Sequence, residues 1–411
     1  MNLPFFIAKR MQFNPARKGS VSVQIIKIAK LAVALGISTI LIAVATGKGL
    51  QYEIQNKTVA FNGHLVVSPF ENRESQVSVL PISDHPQQFE TLKNEEGVTH
   101  VNRVAMKGGL LKADDQFEGI VLKGVTPDYK WEKLKDFVVA GTFPVLGNKT
   151  SSEILISQVI ANRLSVGVGD TVTAYFQNTL TQKIPNVRKF KIVGLFLSGF
   201  PDFDESYIIG DIGHIQRINK WKKNQIGAYE VFTAQLDLVN NIGSSIYERL
   251  PSELDVIEIT RQYASIFQWI SLFDFNILII IIVMIVVGVI NMSTALLVLI
   301  FERSRMIGLF KSMGAENNMI QKIFLYNGVS IMSQGMLWGN LIGLTFFFTQ
   351  KYLGWIRLDP ATYYVNSAPV YLDVMDVVWL NLGFLGVSSL LLWIPSMIIS
   401  GISPARVLRF R

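Results

Sequence analysis

The sequence contains no cysteine, few histidines and no recognisable catalytic or metal-binding motif. Its 411 residues include four histidines, and the lack of cysteine excludes a disulfide framework, thiol catalysis and cysteine-based zinc sites. The GxSxG motif of serine hydrolases and the GxxxxGK[ST] phosphate-binding loop are also missing. We therefore expect no enzyme active site in this chain. No metal site is predicted either, because the histidines are scattered without an HExxH motif or a paired spacing; they are His64, His85, His100 and His214.

Charge is scarce as well. Charged residues make up 17% of the chain and apolar residues 50%, with a mean hydropathy of +0.34, which is typical of a membrane protein rather than a soluble one of this length. The net charge is +7, but the basic residues are not gathered on one domain. A nucleic-acid partner is therefore not predicted, and membrane lipid is.

Four apolar runs are long enough to cross a bilayer. The segments that would lie inside the cell are all net basic, so the positive-inside rule places both termini in the cytoplasm. The first run could be taken for a signal peptide, but it is too long and lacks an A-x-A cleavage site, so we expect an uncleaved anchor. The predicted segments are 1–24 (cytoplasmic, amphipathic), 25–47 (helix 1), 48–268 (external), 269–301 (helix 2), 302–322 (cytoplasmic), 323–350 (helix 3), 351–373 (external loop), 374–400 (helix 4) and 401–411 (cytoplasmic tail).

The segment 48–268 has a different character, with balanced charge and no run that could span a membrane. Stretches such as HLVVSP, FEGIVLKGV, EILIS, DTVTAYF and KFKIVGLF predict strands between Gly, Pro and Asp turns. QVIANRLSVGVGD predicts a helix that ends at a glycine turn. The fold class is therefore a multi-pass α-helical membrane protein with four transmembrane helices and a large α+β periplasmic domain inserted between helices 1 and 2.

The residues after the second run predict a short amphipathic helix at the membrane face. In ERSRMIGLFKSMGA, apolar Ile307, Leu309 and Phe310 alternate with basic Arg305 and Lys311, a pattern typical of a helix that docks into a partner. The preceding run is longer than a bilayer requires, so its helix is expected to protrude. In the third run, Gly335, Gly339 and Gly343 are spaced by four residues, which predicts close packing of another helix.

Four motifs together resemble a known family. FFIAKR, EILISQVIANRLSVGVGD, ERSRMIGLFKSMGA and LDPATYYVNSAPVYLD are similar to the permease subunits of the macrolide-exporter and FtsX superfamily of ABC transporters. Within it, the Tyr-Tyr-Val and Pro-Val of the last outer loop resemble the lipoprotein-releasing permeases of the LolC and LolE type. The third motif departs from the family pattern at Met306, where an acidic residue is usual.

The resemblance implies a function and a set of partners. The chain would be the permease subunit of an ABC transporter that extracts acylated lipoproteins from the outer leaflet of the bacterial inner membrane and passes them to a periplasmic carrier. It would bind no cofactor itself; two copies of a separate ATPase subunit would use ATP and Mg, and a second permease, identical or homologous, would complete the assembly. The residues implied to couple to the ATPase are Glu302, Arg303, Arg305, Ile307, Gly308, Leu309, Phe310, Lys311, Gly314 and Ala315.

The resemblance also implies a hairpin that recruits the carrier. The matching stretch is 176–191, where Ile184, Pro185 and Val187 are apolar at the expected tip; a tip that rests on its own domain is the alternative. Two other functions stay open, namely export of macrolides or peptides and FtsX-like regulation of a periplasmic cell-wall hydrolase.

Overall fold

The computed structural model describes residues 3–12, 21–72, 77–177, 185–359, 363, 365 and 367–401. The chain divides into two compact units. The helical unit comprises Met1–Tyr52, Trp269–Arg357 and Ser367–Arg411, and the α+β unit comprises Glu53–Gln268 and Leu358–Asn366. The predicted tip residue Ile184, Tyr364 of the last-loop motif and the tail from residue 402 lie outside the described residues.

The α-helices described in the structure include the long helices of the helical unit and several short ones of the α+β unit. In chain order they are α1 (Leu3–Gln12), α2 (Val21–Asn62), α3 (Pro86–Lys93), α4 (Gln158–Arg163), α5 (Pro201–Asp204), α6 (Gly213–Asn219), α7 (Val239–Arg249), α8 (Ile259–Gln262), α9 (Ala264–Glu302), α10 (Ser304–Ser312), α11 (Asn317–Leu353), α12 (Val374–Leu391) and α13 (Trp393–Ser396).

Four helical segments of the described chain are long and apolar enough to cross a membrane: Val23–Asn62, Ala264–Glu302, Asn317–Leu353 and Val374–Gly401. The first helix runs on to Asn62, whereas the sequence predicted an end at residue 47. Leu50, Ile54 and Phe61 are buried along this extension, and their helical spacing gives it an apolar face to pack.

The fourth apolar segment, Val374–Gly401, changes its helical form near its end. Helix α12 ends at Leu391, and the chain continues through the four-residue α13 into a 3-10 turn, Met397–Gly401. Pro395 lies within α13, and its missing N–H removes a helical hydrogen bond.

The α+β unit contains twelve described strands, ten in one large sheet and two, at 82–83 and 225–226, in a separate pair. Each strand stretch quoted in the sequence analysis forms a strand. The strands are β1 (Leu65–Pro69), β2 (Ile82–Ser83), β3 (Val98–Ala113), β4 (Gln116–Val125), β5 (Val138–Gly141), β6 (Glu153–Ser157), β7 (Thr171–Phe176), β8 (Asn186–Phe196), β9 (Tyr207–Asp211), β10 (Gln225–Ile226), β11 (Ala228–Thr233) and β12 (Leu254–Glu258).

The strand order is β12-β1-β11-β3-β4-β9-β6-β8-β5, and β7 pairs with both β3 and β8. These pairings close a ring of six strands, β3-β4-β9-β6-β8-β7. The pairs β4·β9 and β6·β8 are parallel and the others are antiparallel. Every strand of the ring contributes buried apolar side chains to one core, for example Leu122, Ile156, Phe176, Phe190 and Ile208.

Candidate coupling and carrier-binding sites

Helix α10 has one face packed inside the helical unit and one exposed face. Ile307 is fully buried and Gly308 is buried, while Phe310 packs partly against the same apolar cluster. Leu309 is 51% exposed and Met313, just after the helix, is 81% exposed. This differs from the expectation that Ile307 contacts a partner, because its side chain contributes to the core of its own unit.

Lys311 has an internal role that the sequence did not indicate. Its Nζ donates a hydrogen bond to the carbonyl oxygen of Ile399 at 2.7 Å, in the 3-10 turn that ends the fourth membrane segment. A cation near the last carbonyls of a helical turn is electrostatically favourable. Lys311 therefore joins α10 to the end of the fourth segment, rather than being free to orient a partner subunit.

The Gly314-Ala315 pair ends α10 in a Schellman motif. Gly314 has a φ of +88°, its N–H donates to the carbonyl oxygen of Lys311 at 3.1 Å, and the N–H of Ala315 donates to that of Phe310 at 2.9 Å. Glycine adopts this left-handed conformation without steric cost. The two residues thus shape the turn into α11.

The exposed residues of this region form a stripe at helical spacing. Glu302 ends α9, Arg305 and Leu309 follow on α10, and Met313 caps it; all four are exposed, whereas Arg303 is half-buried. An apolar pair flanked by one acidic and one basic side chain can bind a complementary groove on another protein. Met313 was missing from the set implied by the resemblance, although its position four residues after Leu309 is a signal that periodicity offers.

The three glycines of α11 face α2. A Cβ added at Gly335 would lie 2.8 Å from the carbonyl oxygen of Lys30, and one at Gly339 would lie 2.7 Å from that of Ala34. At Gly343 the nearest atoms belong to the Leu41 side chain, at 2.9 Å. Helix α2 therefore approaches α11 more closely than any residue with a side chain would permit.

The C-terminal half of α2 is tied to other helical segments by polar side chains. Lys48 Nζ lies 2.6 Å from Asp376 Oδ1 at the start of α12, and Gln51 donates to Asp274 of α9 at 2.9 Å. The Tyr371 N–H donates to the carbonyl oxygen of Ala45 at 2.9 Å. No local pattern could have predicted these contacts, since each joins residues far apart in the sequence.

The predicted carrier-binding stretch forms the antiparallel pair β7·β8, in which Phe176 faces Asn186. Pro185 is exposed and Val187 is 45% exposed. Residues 178–184 lie outside the described part of the chain, so the structure describes the stem of the hairpin and two of the three residues.

An ion pair is enclosed in the α+β unit. Lys123 of β4 and Glu230 of β11 are 0% and 1% exposed, and Nζ lies 2.6 Å from Oε1. The Lys123 ammonium also donates to the carbonyl oxygen of Phe61 near the end of α2. Burial raises the pKa of Glu230, while the Lys123 charge partly offsets this.

Two of the four histidines lie on either side of Phe232. The His100 ring stacks on Phe232 at 4.1 Å, and His64 Nδ1 accepts a hydrogen bond from the Thr233 N–H at 3.0 Å. Burial, with the nearby Lys133 charge, lowers the pKa of both histidines to about 4. Among the described residues there is no group of three or more metal-binding side chains.

Comparison with known proteins decides the family. Residues 28–260, more than half of the chain, match the family model for the MacB-like periplasmic core domain. Residues 278–404 match the model for the C-terminal part of FtsX-like permeases. The chain belongs to the FtsX-like permeases with a MacB-like periplasmic core. This confirms the family resemblance drawn from the four motifs.

Relatives of this permease match it from end to end. It is 21% identical to the lipoprotein-releasing system transmembrane protein LolC of Xylella fastidiosa (strain Temecula1), covering 99% of each chain. It is 23% identical to LolE of Haemophilus influenzae, again over 99% of each. The crystallised periplasmic region of MacB from Actinobacillus actinomycetemcomitans aligns with 52% of the permease and 95% of that chain, at 13% identity and a TM-score of 0.33.

Proposed function

We propose that this permease is the transmembrane subunit of an ATP-driven lipoprotein-releasing ABC transporter in the bacterial inner membrane. The observation that carries the proposal is its similarity, over 99% of the chain, to proteins named as LolC and LolE of lipoprotein-releasing systems. The four apolar helices fit the proposed location. In this arrangement both termini are cytoplasmic and the α+β unit is periplasmic.

The energy of lipid anchoring explains the need for ATP. Burial of acyl carbon contributes ~0.8 kcal/mol per CH₂, so a triacylated lipoprotein is held in the bilayer by on the order of 30 kcal/mol. Spontaneous release is negligible at that cost. The transporter must offer the acyl chains another apolar environment, first between two permeases and then in a soluble carrier.

Coupling to the ATPase subunits is assigned to the exposed stripe of Glu302, Arg305, Leu309 and Met313. Leu309 and Met313 are the exposed apolar side chains of this turn, and burying them in a groove would favour binding. Ile307 and Lys311 lie behind this stripe and make contacts within the helical unit. Ile307 packs in the core of the helical unit and Lys311 holds the end of the fourth segment, so a push on α10 is passed to the membrane helices.

Binding of the periplasmic carrier is assigned to the β7·β8 hairpin. Val187 is exposed near the hairpin end of β8, and Pro185 directly precedes that strand. Apolar side chains in such a position can bind a partner protein. The two strands of the hairpin stem, β7 and β8, belong to the ring of paired strands, which holds the stem in position.

Export of macrolides or peptides is the second candidate, because residues 28–260 match the MacB-like periplasmic core domain. Regulation of a cell-wall hydrolase is the third. All three share the same coupling to an ATPase.

Purification in mild detergent after brief crosslinking, with mass spectrometry of the bound molecules, distinguishes the candidates. The proposal expects an ATPase subunit, a second permease and acylated lipoproteins. An ATPase with an adaptor protein or a hydrolase, and without lipoprotein, would contradict it and favour one of the alternatives.

A further inference from the structure

A pocket of about 230 Å³ lies in the α+β unit on the sheet face that carries Glu230. Its walls come from β1, β3, β9, β11 and β12 and from the residues that border the first and second membrane segments. The polar lining side chains that carry the argument are Asn62, Tyr207, Glu230 and Tyr263.

Glu230 is the one charged residue among the described residues that line this pocket. Its Oε1 accepts the Lys123 ammonium at 2.6 Å. For Oε2, which is buried, the described residues provide no hydrogen-bond donor. A buried carboxylate oxygen without a donor is costly, and a donor supplied from the pocket that Glu230 lines would relieve this cost.

The rest of the lining combines polar and apolar groups. The Tyr263 hydroxyl accepts a hydrogen bond from Asn62 at 3.0 Å, and the Tyr207 hydroxyl lies 3.9 Å from the Met106 sulfur. Val66, Val104 and Ile257 provide apolar walls. A small number of polar groups in a largely preformed cavity is the usual composition of a ligand site.

Charge decides which kind of ligand fits. Lys123 and Glu230 already neutralise each other and are both buried, so a bound cation would add an uncompensated charge to a buried site, which is unfavourable. A neutral hydrogen-bond donor adds no charge to the site. We propose that this pocket binds a small neutral group that donates an N–H hydrogen bond to Glu230, of the carboxamide or peptide-amide class.

The volume agrees with a ligand larger than a single water molecule. Water occupies about 30 Å³ in the liquid, so a pocket of about 230 Å³ can hold a carboxamide with a short apolar stem. The stem would contact the apolar walls while the amide N–H reaches the carboxylate.

Fluorine NMR of the full-length permease in lipid nanodiscs tests this inference with three probes of similar size. Trifluoroacetamide has the N–H donor, N,N-dimethyltrifluoroacetamide has the same acyl group without a donor, and trifluoropropylammonium is a cation. We expect saturable binding of trifluoroacetamide, and binding of the dimethyl compound that is roughly tenfold or more weaker, the loss expected for one hydrogen bond to a charged group.

Two variants locate the binding. Ala228→Leu fills the pocket while keeping both members of the ion pair and should abolish saturable binding, while Ala140→Leu, at an exposed position of β5, should leave it unchanged. Glu230→Gln should weaken binding of trifluoroacetamide if this variant folds. If the variant does not fold, the result for Ala228→Leu tests the inference.

Four outcomes would overturn the inference. Equal binding of the dimethyl compound would show a purely apolar cavity, and tighter binding of the ammonium probe would show a cation site. Failure of all three probes to saturate, or binding that survives Ala228→Leu, would show a pocket that holds water only or a probe bound elsewhere.

Discussion

Lys123 Nζ and Glu230 Oε1 lie 2.6 Å apart with both side chains at most 1% exposed, and the same ammonium binds the Phe61 carbonyl near the end of the first long helix. The last carbonyls of a helix have no partner within it, and a cation there is favourable. The ion pair therefore fixes the end of α2 onto the sheet of the α+β unit.

Removing one member of this pair should be far more damaging than removing both. Lys123→Met leaves a buried carboxylate unpaired, and we expect a loss of about 3–5 kcal/mol in the free energy of unfolding. The double variant Lys123→Met/Glu230→Leu should recover most of it. Denaturant unfolding of the full-length protein measures both, and equal loss in the single and double variants would contradict the role of pairing.

Close packing of α11 on α2 predicts a strong position dependence of glycine substitution. Gly339→Ala places a methyl group 2.7 Å from a backbone carbonyl oxygen, and overpacking of this kind costs roughly 1–3 kcal/mol. Gly383→Ala in α12 meets nothing within 4 Å and should be neutral or slightly stabilising. Thermal unfolding in detergent compares the two; equal midpoints would contradict the packing described here.

The two histidines beside Phe232 predict that acid destabilises the α+β unit. The folded pKa of each is about 4, below the usual value near 6.5, so the unfolded chain binds more protons as the pH falls. Their contribution is fully present above about pH 6.5 and is lost as the pH falls toward 4.

Amide hydrogen exchange of β11 in the full-length protein, measured from pH 7 to 4 after correction for intrinsic rates, reports this loss. The variant His64→Gln/His100→Phe keeps an acceptor for Thr233 and the stacking on Phe232, and it should flatten the pH dependence. An unchanged pH profile would show that other groups are responsible.

The strands of the α+β unit were predictable to a large extent, because EILIS and KFKIVGLF are β-forming stretches between clear turn signals. The four apolar segments were also visible, since a mostly apolar stretch of about twenty residues needs little context. The roles of individual residues in α10 were less accessible. Periodicity identifies an amphipathic helix, but it does not tell which apolar residue faces the helix's own unit, and Ile307 and Leu309 proved to lie on different faces.

Long-range pairs could not be predicted at all. Lys123 and Glu230 lie in β4 and β11, and Lys48 and Asp376 lie at opposite ends of the chain. The members of each pair are close in space because of the strand order and the helix packing. No local sequence pattern indicates either of these. The end of α2 at Asn62 was missed for a related reason, because its burial is decided by the sheet that receives it.

The proposed coupling through the exposed stripe predicts which substitutions separate the permease from an ATPase subunit. Leu309→Asp and Met313→Asp should abolish co-purification of the ATPase subunit without lowering the thermal midpoint, because both side chains are exposed. Ile307→Asp should instead unfold the helical unit. Val145→Asp, at a 75% exposed site of the α+β unit, is the matched control; retention of the ATPase by Met313→Asp and Leu309→Asp together would remove the stripe from the interface.

ATP-dependent release of a lipoprotein from proteoliposomes tests the central claim most directly. The complex purified with its ATPase is reconstituted with a tagged triacylated lipoprotein, periplasmic extract supplies the carrier, and the soluble fraction is assayed for the tag. The account predicts release with ATP, none with a non-hydrolysable analogue, and loss of release in the Leu309→Asp/Met313→Asp variant. ATP turnover without release, together with stimulation of that turnover by a macrolide or a peptide, would contradict it.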